Sequence, residues 1–185
     1  MQWSQNVRGK LLAPLLQILG DRGIRAGHIT LLSLLSGLAF CPLFITGQYL
    51  PAFGFLFLHV LLDGLDGPLA RYLNRASDRG SFTDTVADQV VVSATIITMI
   101  FCGAAGAWPG GIYLFLYTIV VAFAMVRSAL EAPYSWLFRP RFLIFTWYAV
   151  EVFWWKNSLD YVLWTAAALL GLKAFTGFIA IQRKI

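Results

Sequence analysis

Six apolar runs limit what this chain can become. Ile29–Ile45, Tyr49–Leu62, Val90–Ala107 and Ile112–Val126 carry no charged residue, while Phe142–Trp155 is broken only by Glu151 and Tyr161–Ile181 only by Lys173. A membrane-crossing helix needs about 20 apolar residues, fewer when its polar ends snorkel. Of the 185 residues, 59% are hydrophobic and 12% charged, against about 25% charged in soluble domains. The pattern predicts an all-α integral membrane protein with six transmembrane helices. The second run is too short alone, so its helix should continue to about Arg71, and the third should begin near Asp84 rather than Val90.

Orientation follows from lysine and arginine, which are retained on the cytosolic side. With the N-terminus inside, the inner segments hold Arg8, Lys10, Arg22, Arg25, Arg71, Arg75, Arg79, Arg127, Arg139, Arg141, Arg183 and Lys184. The outer loops hold only Lys156. Both termini are therefore expected to be cytosolic in a multi-pass cell membrane protein. The net charge of +5 is explained by this topology and by anionic inner-leaflet lipid, so no nucleic-acid partner is expected. Cys41 and Cys102 each lie in an apolar run and read as packing residues.

Residues 1–28 lack the continuous apolar stretch and small-residue cleavage site of a signal peptide. They space Trp3, Val7, Leu11, Leu15 and Ile18 at helical intervals around Arg8 and Lys10, which predicts an N-terminal interfacial amphipathic helix, bent at Pro14. Residues 29–185 form one bundle domain, with outer turns at Gly47–Pro51 and Gly103–Gly111.

Charge is concentrated between Leu61 and Gln89. Asp63 and Asp66 are three residues apart and Asp84 and Asp88 four apart, so each pair projects from one helix face. Four carboxylates at a membrane edge repel one another unless cations sit among them. An all-oxygen ligand set suits Mg²⁺, Mn²⁺ or Ca²⁺ rather than zinc. Gly67 and Arg71 follow Asp63 at one-turn intervals, giving a face of carboxylate, bare backbone and guanidinium that can cradle a metal-bridged diphosphate. Gly80, Asp84 and Asp88 repeat the spacing on the next helix. Each element also has an ordinary reading: Asp84 can complement a helix dipole, the arginines can anchor topology, and Gly67 with Ala70 can be close helix packing. It is their combination within a membrane protein that points to a site.

The stretch Asp63-Gly-Leu-Asp66-Gly67-Pro-Leu-Ala70-Arg71, then eight residues, then Gly80-Ser-Phe-Thr-Asp84-Thr-Val-Ala-Asp88 matches the pattern DxxDGxxAR(x8)GxxxDxxxD without a gap. In this the chain resembles the CDP-alcohol phosphotransferase family, whose small prokaryotic members are phospholipid synthases. The resemblance implies a six-helix CDP-alcohol phosphotransferase membrane domain with its site at the cytosolic face. It implies two divalent ions, Mg²⁺ or Mn²⁺, held by Asp63, Asp66, Asp84 and Asp88, with Asp88 also the base that deprotonates the acceptor. It implies a CDP-diacylglycerol donor bound by Asp66, Gly67, Ala70, Arg71, Ser77 and Gly80, release of CMP, and a homodimer. Many relatives carry Pro-Asn where this chain has Ala26-Gly27, and lysine where it has Gln89, so donor contacts from the first of these segments are in question.

The short length resembles members whose acceptor is a phosphorylated polyol, such as glycerol 3-phosphate or inositol phosphate. An anionic acceptor calls for basic groups on later helices, and Arg127, Arg139, Arg141 and Lys173 are the candidates. Their ordinary readings are pairing of Arg127 with Glu131, anchoring by Arg139 and Arg141 in a loop around Pro140, and, for Lys173, facing the bundle, pairing with a carboxylate such as Glu151, or staying neutral. His59 and Glu151 are expected to be hydrogen-bonded interior groups. Two other functions fit the carboxylates: an intramembrane prenyltransferase, which would need two separated aspartate-rich motifs, and a divalent-cation transporter, which would need polar residues continuing along a pore.

Overall fold

The computed structural model describes residues 2–130 and 140–184, with side chains from Leu12 onward. The described residues form seven helices and no strand: α1 (Gln2–Asp21), α2 (Ala26–Ile45), α3 (Tyr49–Tyr72), α4 (Asp78–Phe101), α5 (Ala107–Ala129), α6 (Pro140–Phe153) and α7 (Leu159–Gln182). Five of them, α2 to α5 and α7, are long and apolar enough to cross a membrane, whereas α6 has 14 residues. Two compact units emerge: Met1–Leu43 with Leu50–Val91, and Phe44–Tyr49 with Val92–Ile185.

In the first unit, α1 runs through Pro14 as one helix and packs Leu12, Leu16 and Leu19 against Ile29, Leu62, Leu65, Leu69 and Leu73. Leu16 is 2% exposed, while Leu15 and Ile18 remain 40% and 51% exposed. Leu15 and Ile18 thus lie off the face that packs on this unit's core, which is formed by Leu12, Leu16 and Leu19. The helix ends where Gly23 adopts φ +70°. There the Gly23 N–H donates to Gly20 O at 2.9 Å and the Ile24 N–H to Leu19 O at 3.0 Å, the Schellman closure that needs a left-handed residue.

Inside this unit α2 approaches α3 and α4 closely at Gly37, where a β-carbon would stand 2.6 Å from both Val91 γ-carbons and 3.2 Å from His59 Cγ. His59, 2% exposed, sits 2.9 Å from Ser33 Oγ through Nδ1, and the Ser33 hydroxyl also reaches His59 O at 3.1 Å. His59 is therefore an interior group satisfied by its neighbours, as its apolar setting requires.

In the second unit α5 and α6 both pack on α7. Glu151, 5% exposed on α6, accepts the N–H of Asn157 at 2.5 Å and of Leu159 at 2.7 Å, with Ser158 Oγ at 3.2 Å. It satisfies orphan donors at the start of α7, a cap supplied by another helix. Asp160 does the same for α5, accepting Gly106 N–H at 2.7 Å. Glu151 is thus a hydrogen-bonded interior group, as expected. Around both units, side chains such as Leu50, Phe57, Phe115, Leu172 and Phe175 are more than three-fifths exposed, an exterior suited to hydrocarbon rather than water.

Candidate active site

The aspartates lie within the first unit, on the second half of α3 and the first half of α4. Helix α3 carries on through Asp63, Asp66 and Pro68 to Tyr72, as its short apolar run requires. It stops at Asn74, with φ 52°, where Asn74 N–H donates to Arg71 O at 3.0 Å and Arg75 N–H to Ala70 O at 2.8 Å. Asparagine tolerates this left-handed position better than other side chains.

Helix α4 then begins at Asp78, earlier than the expected start near Asp84. The reason is Ser77, whose Oγ accepts the N–H of Gly80 at 3.2 Å in the geometry of an N-cap. A single cap moves the helix start by almost two turns, ahead of the apolar run. Gly80 faces this serine, with 3.4 Å between its would-be β-carbon and Ser77 Oγ.

Asp63, Asp84 and Asp88 each offer one carboxylate oxygen, and these three atoms lie within 4.8 Å of one another. Ligands on opposite sides of one divalent cation, at about 2.0–2.6 Å each, are about 4–5 Å apart, so the three oxygens fit around a single hard ion. Their chemistry fits too, since every donor is a carboxylate oxygen.

Asp66 is 5% exposed. Its Oδ1 accepts Gly67 N–H at 2.6 Å and its Oδ2 accepts the Thr30 hydroxyl of α2 at 2.8 Å. Asp84 lies within hydrogen-bonding reach of Asp66 and feels the charges of Asp88 and Asp63 as well. Asp84 therefore senses each of the other three aspartates.

Arg71 folds back along its helix so that its two terminal nitrogens lie 3.5 and 3.9 Å from the position of a β-carbon on Gly67. The face of carboxylate, bare backbone and guanidinium is thus formed, with the guanidinium over the glycine. Ala70 lies on the next turn, its carbonyl used in closing α3.

The acceptor candidates belong to the second unit. Arg127 is in the last turn of α5 and Lys173 is half-buried on α7. Arg141 is not in a loop: it is the second residue of α6, 5% exposed, its guanidinium carbon 4.9 Å from the Phe142 ring centre. Arg139 and Glu131 lie outside the described residues. Thr30 is the residue that reading the sequence missed. Nothing local marks it, because its contact spans 36 positions.

The sequence profile of CDP-alcohol phosphatidyltransferases matches residues 24–176. The CDP-diacylglycerol–serine O-phosphatidyltransferase of Mycobacterium bovis is 30% identical over 113 residues, 58% of this chain and 40% of its own length. The inner membrane protein YnjF of Escherichia coli is 30% identical over 126 residues, 68% of this chain and 61% of its own. The chain thus spans less than two thirds of the length of either relative. The crystal structure of Mycobacterium tuberculosis phosphatidylinositol phosphate synthase with CDP-DAG bound aligns with a TM-score of 0.76 at 19% identity, over 93% of this chain and 94% of that one. The same synthase in complex with manganese and citrate aligns with a TM-score of 0.76 at 19% identity, over 91% and 88%. At such identity the likeness is one of fold. The profile match, by contrast, runs through both aspartate pairs and most of the helices, and on it the chain belongs to the CDP-alcohol phosphatidyltransferase family.

Proposed function

We propose that this protein transfers the phosphatidyl group of CDP-diacylglycerol to the hydroxyl of a small alcohol, releasing CMP. The observation that carries the reading is the convergence of Asp63, Asp84 and Asp88 beside Arg71 folded over Gly67. Asp63, Asp66, Asp84 and Asp88 would hold two divalent ions, Mg²⁺ or Mn²⁺. Bound there, such ions neutralise the diphosphate and polarise the phosphorus that is attacked. Arg71 binds diphosphate oxygens through its planar fork, and Gly67 and Gly80 let the backbone approach them, with Ala70 and Ser77 lining the same wall. The Asp88 carboxylate takes the proton of the acceptor hydroxyl as its oxygen bonds to phosphorus and the bond to the CMP oxygen breaks. Membership of the family sets aside the transporter and prenyltransferase readings.

The acceptor we favour is a phosphorylated polyol, glycerol 3-phosphate or inositol phosphate, bound by Arg127, Arg139, Arg141 or Lys173. The buried position of Arg141 and the fold likeness to a phosphatidylinositol phosphate synthase support this. The likeness to a serine phosphatidyltransferase favours an amino alcohol instead. In the membrane we place six spans, with both termini and the aspartates at the cytosolic face and a homodimer as the assembled form. The lysine and arginine distribution supports that orientation. The exposed Leu15 and Ile18 support an α1 lying in the interface.

The test is CMP release from CDP-diacylglycerol by purified protein with Mg²⁺ or Mn²⁺, against glycerol 3-phosphate, inositol phosphate, inositol, serine and amino alcohols, the lipid product identified by mass spectrometry. Chelation should stop release, and re-addition of either ion should restore it. No CMP with any acceptor refutes the reaction, and a best acceptor without net negative charge refutes the phosphate pocket.

A further inference from the structure

We infer that Thr30 is a positioning residue for the metal and donor site, acting through Asp66. The inference rests on the proposed site and extends it to a helix outside the aspartate motif. Asp66 is a carboxylate at 5% exposure, and a charge so withdrawn from water persists only when its oxygens are hydrogen-bonded or ligated. One bond, from Gly67 N–H, comes from the neighbouring residue and ties the carboxylate only to its own backbone. The other comes from Thr30, 36 positions away on α2, and orients the group against a second helix.

The Thr30 hydroxyl has one proton and two acceptors within reach, Ala26 O at 3.2 Å and Asp66 Oδ2 at 2.8 Å. The first is the ordinary back-bond of a helical threonine. The second is shorter and charge-assisted, so it takes the proton. A carboxylate has about four lone-pair positions, so two hydrogen bonds still leave room to ligate a cation. Thr30 then does for Asp66 what groups behind a metal ligand generally do, fixing its rotamer before the ion arrives. It also brings the first turns of α2 to the site, in the segment where relatives carry Pro-Asn and this chain carries Ala26-Gly27.

The experiment compares Thr30→Val, which keeps the shape and removes the hydroxyl, with Thr30→Ser, which keeps the hydroxyl. Each is also made in an Asp66→Asn background. Mn²⁺ affinity is read by electron paramagnetic resonance of the free ion, alongside the KM for CDP-diacylglycerol. Thr30→Val should weaken Mn²⁺ binding about 10- to 100-fold and raise the donor KM, Thr30→Ser should stay near wild type, and Thr30→Val should add nothing once Asp66 is Asn. Wild-type affinity in Thr30→Val, equal loss in Thr30→Ser, or an undiminished effect in the Asp66→Asn background would each overturn the inference. If Thr30→Val does not fold, Thr30→Ala against Thr30→Ser serves the same purpose, equal affinity in the two being the overturning result. A wild type that binds Mn²⁺ but turns over no CDP-diacylglycerol removes the proposed reaction and leaves this inference standing. A wild type that turns over donor with Mn²⁺ affinity indifferent to residue 30 does the reverse.

Discussion

Alanine at Gly37 should destabilise the protein, whereas alanine at Gly54 should not. Both glycines are inside helices, where glycine-to-alanine normally gains about 1 kcal/mol. At Gly54 the new methyl meets nothing within 4 Å, so the gain stands. At Gly37 it meets both Val91 γ-carbons at 2.6 Å and the His59 ring at 3.2 Å. Neither neighbour yields easily: Val91 is fully buried with a stiff β-branched side chain, and His59 is pinned by Ser33. Overpacking of this kind costs about 1–3 kcal/mol. Because the helix gain is common to both variants, their difference reports the overpacking alone. A mid-range value of about 2 kcal/mol corresponds to roughly 4–8 °C in a chain of this size. Thermal unfolding in one detergent and lipid mixture measures it. Val91→Ala should recover part of the loss in a Gly37→Ala background. His59 lies one turn before Asp63 and Val91 just beyond Asp88, so Mn²⁺ affinity should fall together with stability. A Gly37→Ala protein at least as stable as Gly54→Ala would refute the close approach of α2 to the motif helices.

Individual contacts set three further expected outcomes. Asp88→Asn should lower turnover about 10²- to 10⁴-fold with the donor KM little changed, while Asp66→Asn should weaken metal and donor binding together; steady-state kinetics with an Mn²⁺ titration separates them, and equal losses of donor affinity would remove the division of roles. Arg141→Lys should raise the acceptor KM about tenfold with little effect on the donor, since lysine keeps the charge but loses the planar fork, and an unchanged acceptor KM would return Arg141 to a packing role. Glu151→Ala strips the cap from α7 and leaves the Asn157 and Leu159 N–H groups without their acceptor, so it should cost about 2 kcal/mol or more in thermal unfolding; an unchanged melting temperature would contradict that cap.

What the sequence made legible was local. The apolar runs located the helices, and the three- and four-residue spacings put each aspartate pair on one face, because a helix converts sequence intervals directly into direction. The extension of α3 through the motif followed from the length a span requires. The start of α4 was misplaced because hydropathy cannot see a hydroxyl capping Gly80 from Ser77. The face of α1 that packs on Ile29 and Leu69 was not legible, because only those neighbours decide that Leu12, Leu16 and Leu19 are the side enclosed. Thr30 and Asp66 could not be linked at all, since a hydrogen bond between helices leaves no periodic trace. Arg141 looked like a loop anchor beside Pro140, yet proline suits the first turn of a helix, and it is there that α6 begins.

The link between α3 and α4 occupies residues 73–77, closed at one end by Asn74 and opened at the other by the Ser77 cap. Past the Ser77 cap, chain length is also an angle, because within a helix each residue inserted or removed turns everything beyond it by about 100°. The six residues from Asp78 to Thr83 therefore act as an indexing device between that cap and the second aspartate pair. They need not touch any substrate to matter: losing one with the cap in place would carry Asp84 and Asp88 more than a quarter turn about the helix axis, leaving all four carboxylates in the chain and no common point for them to face.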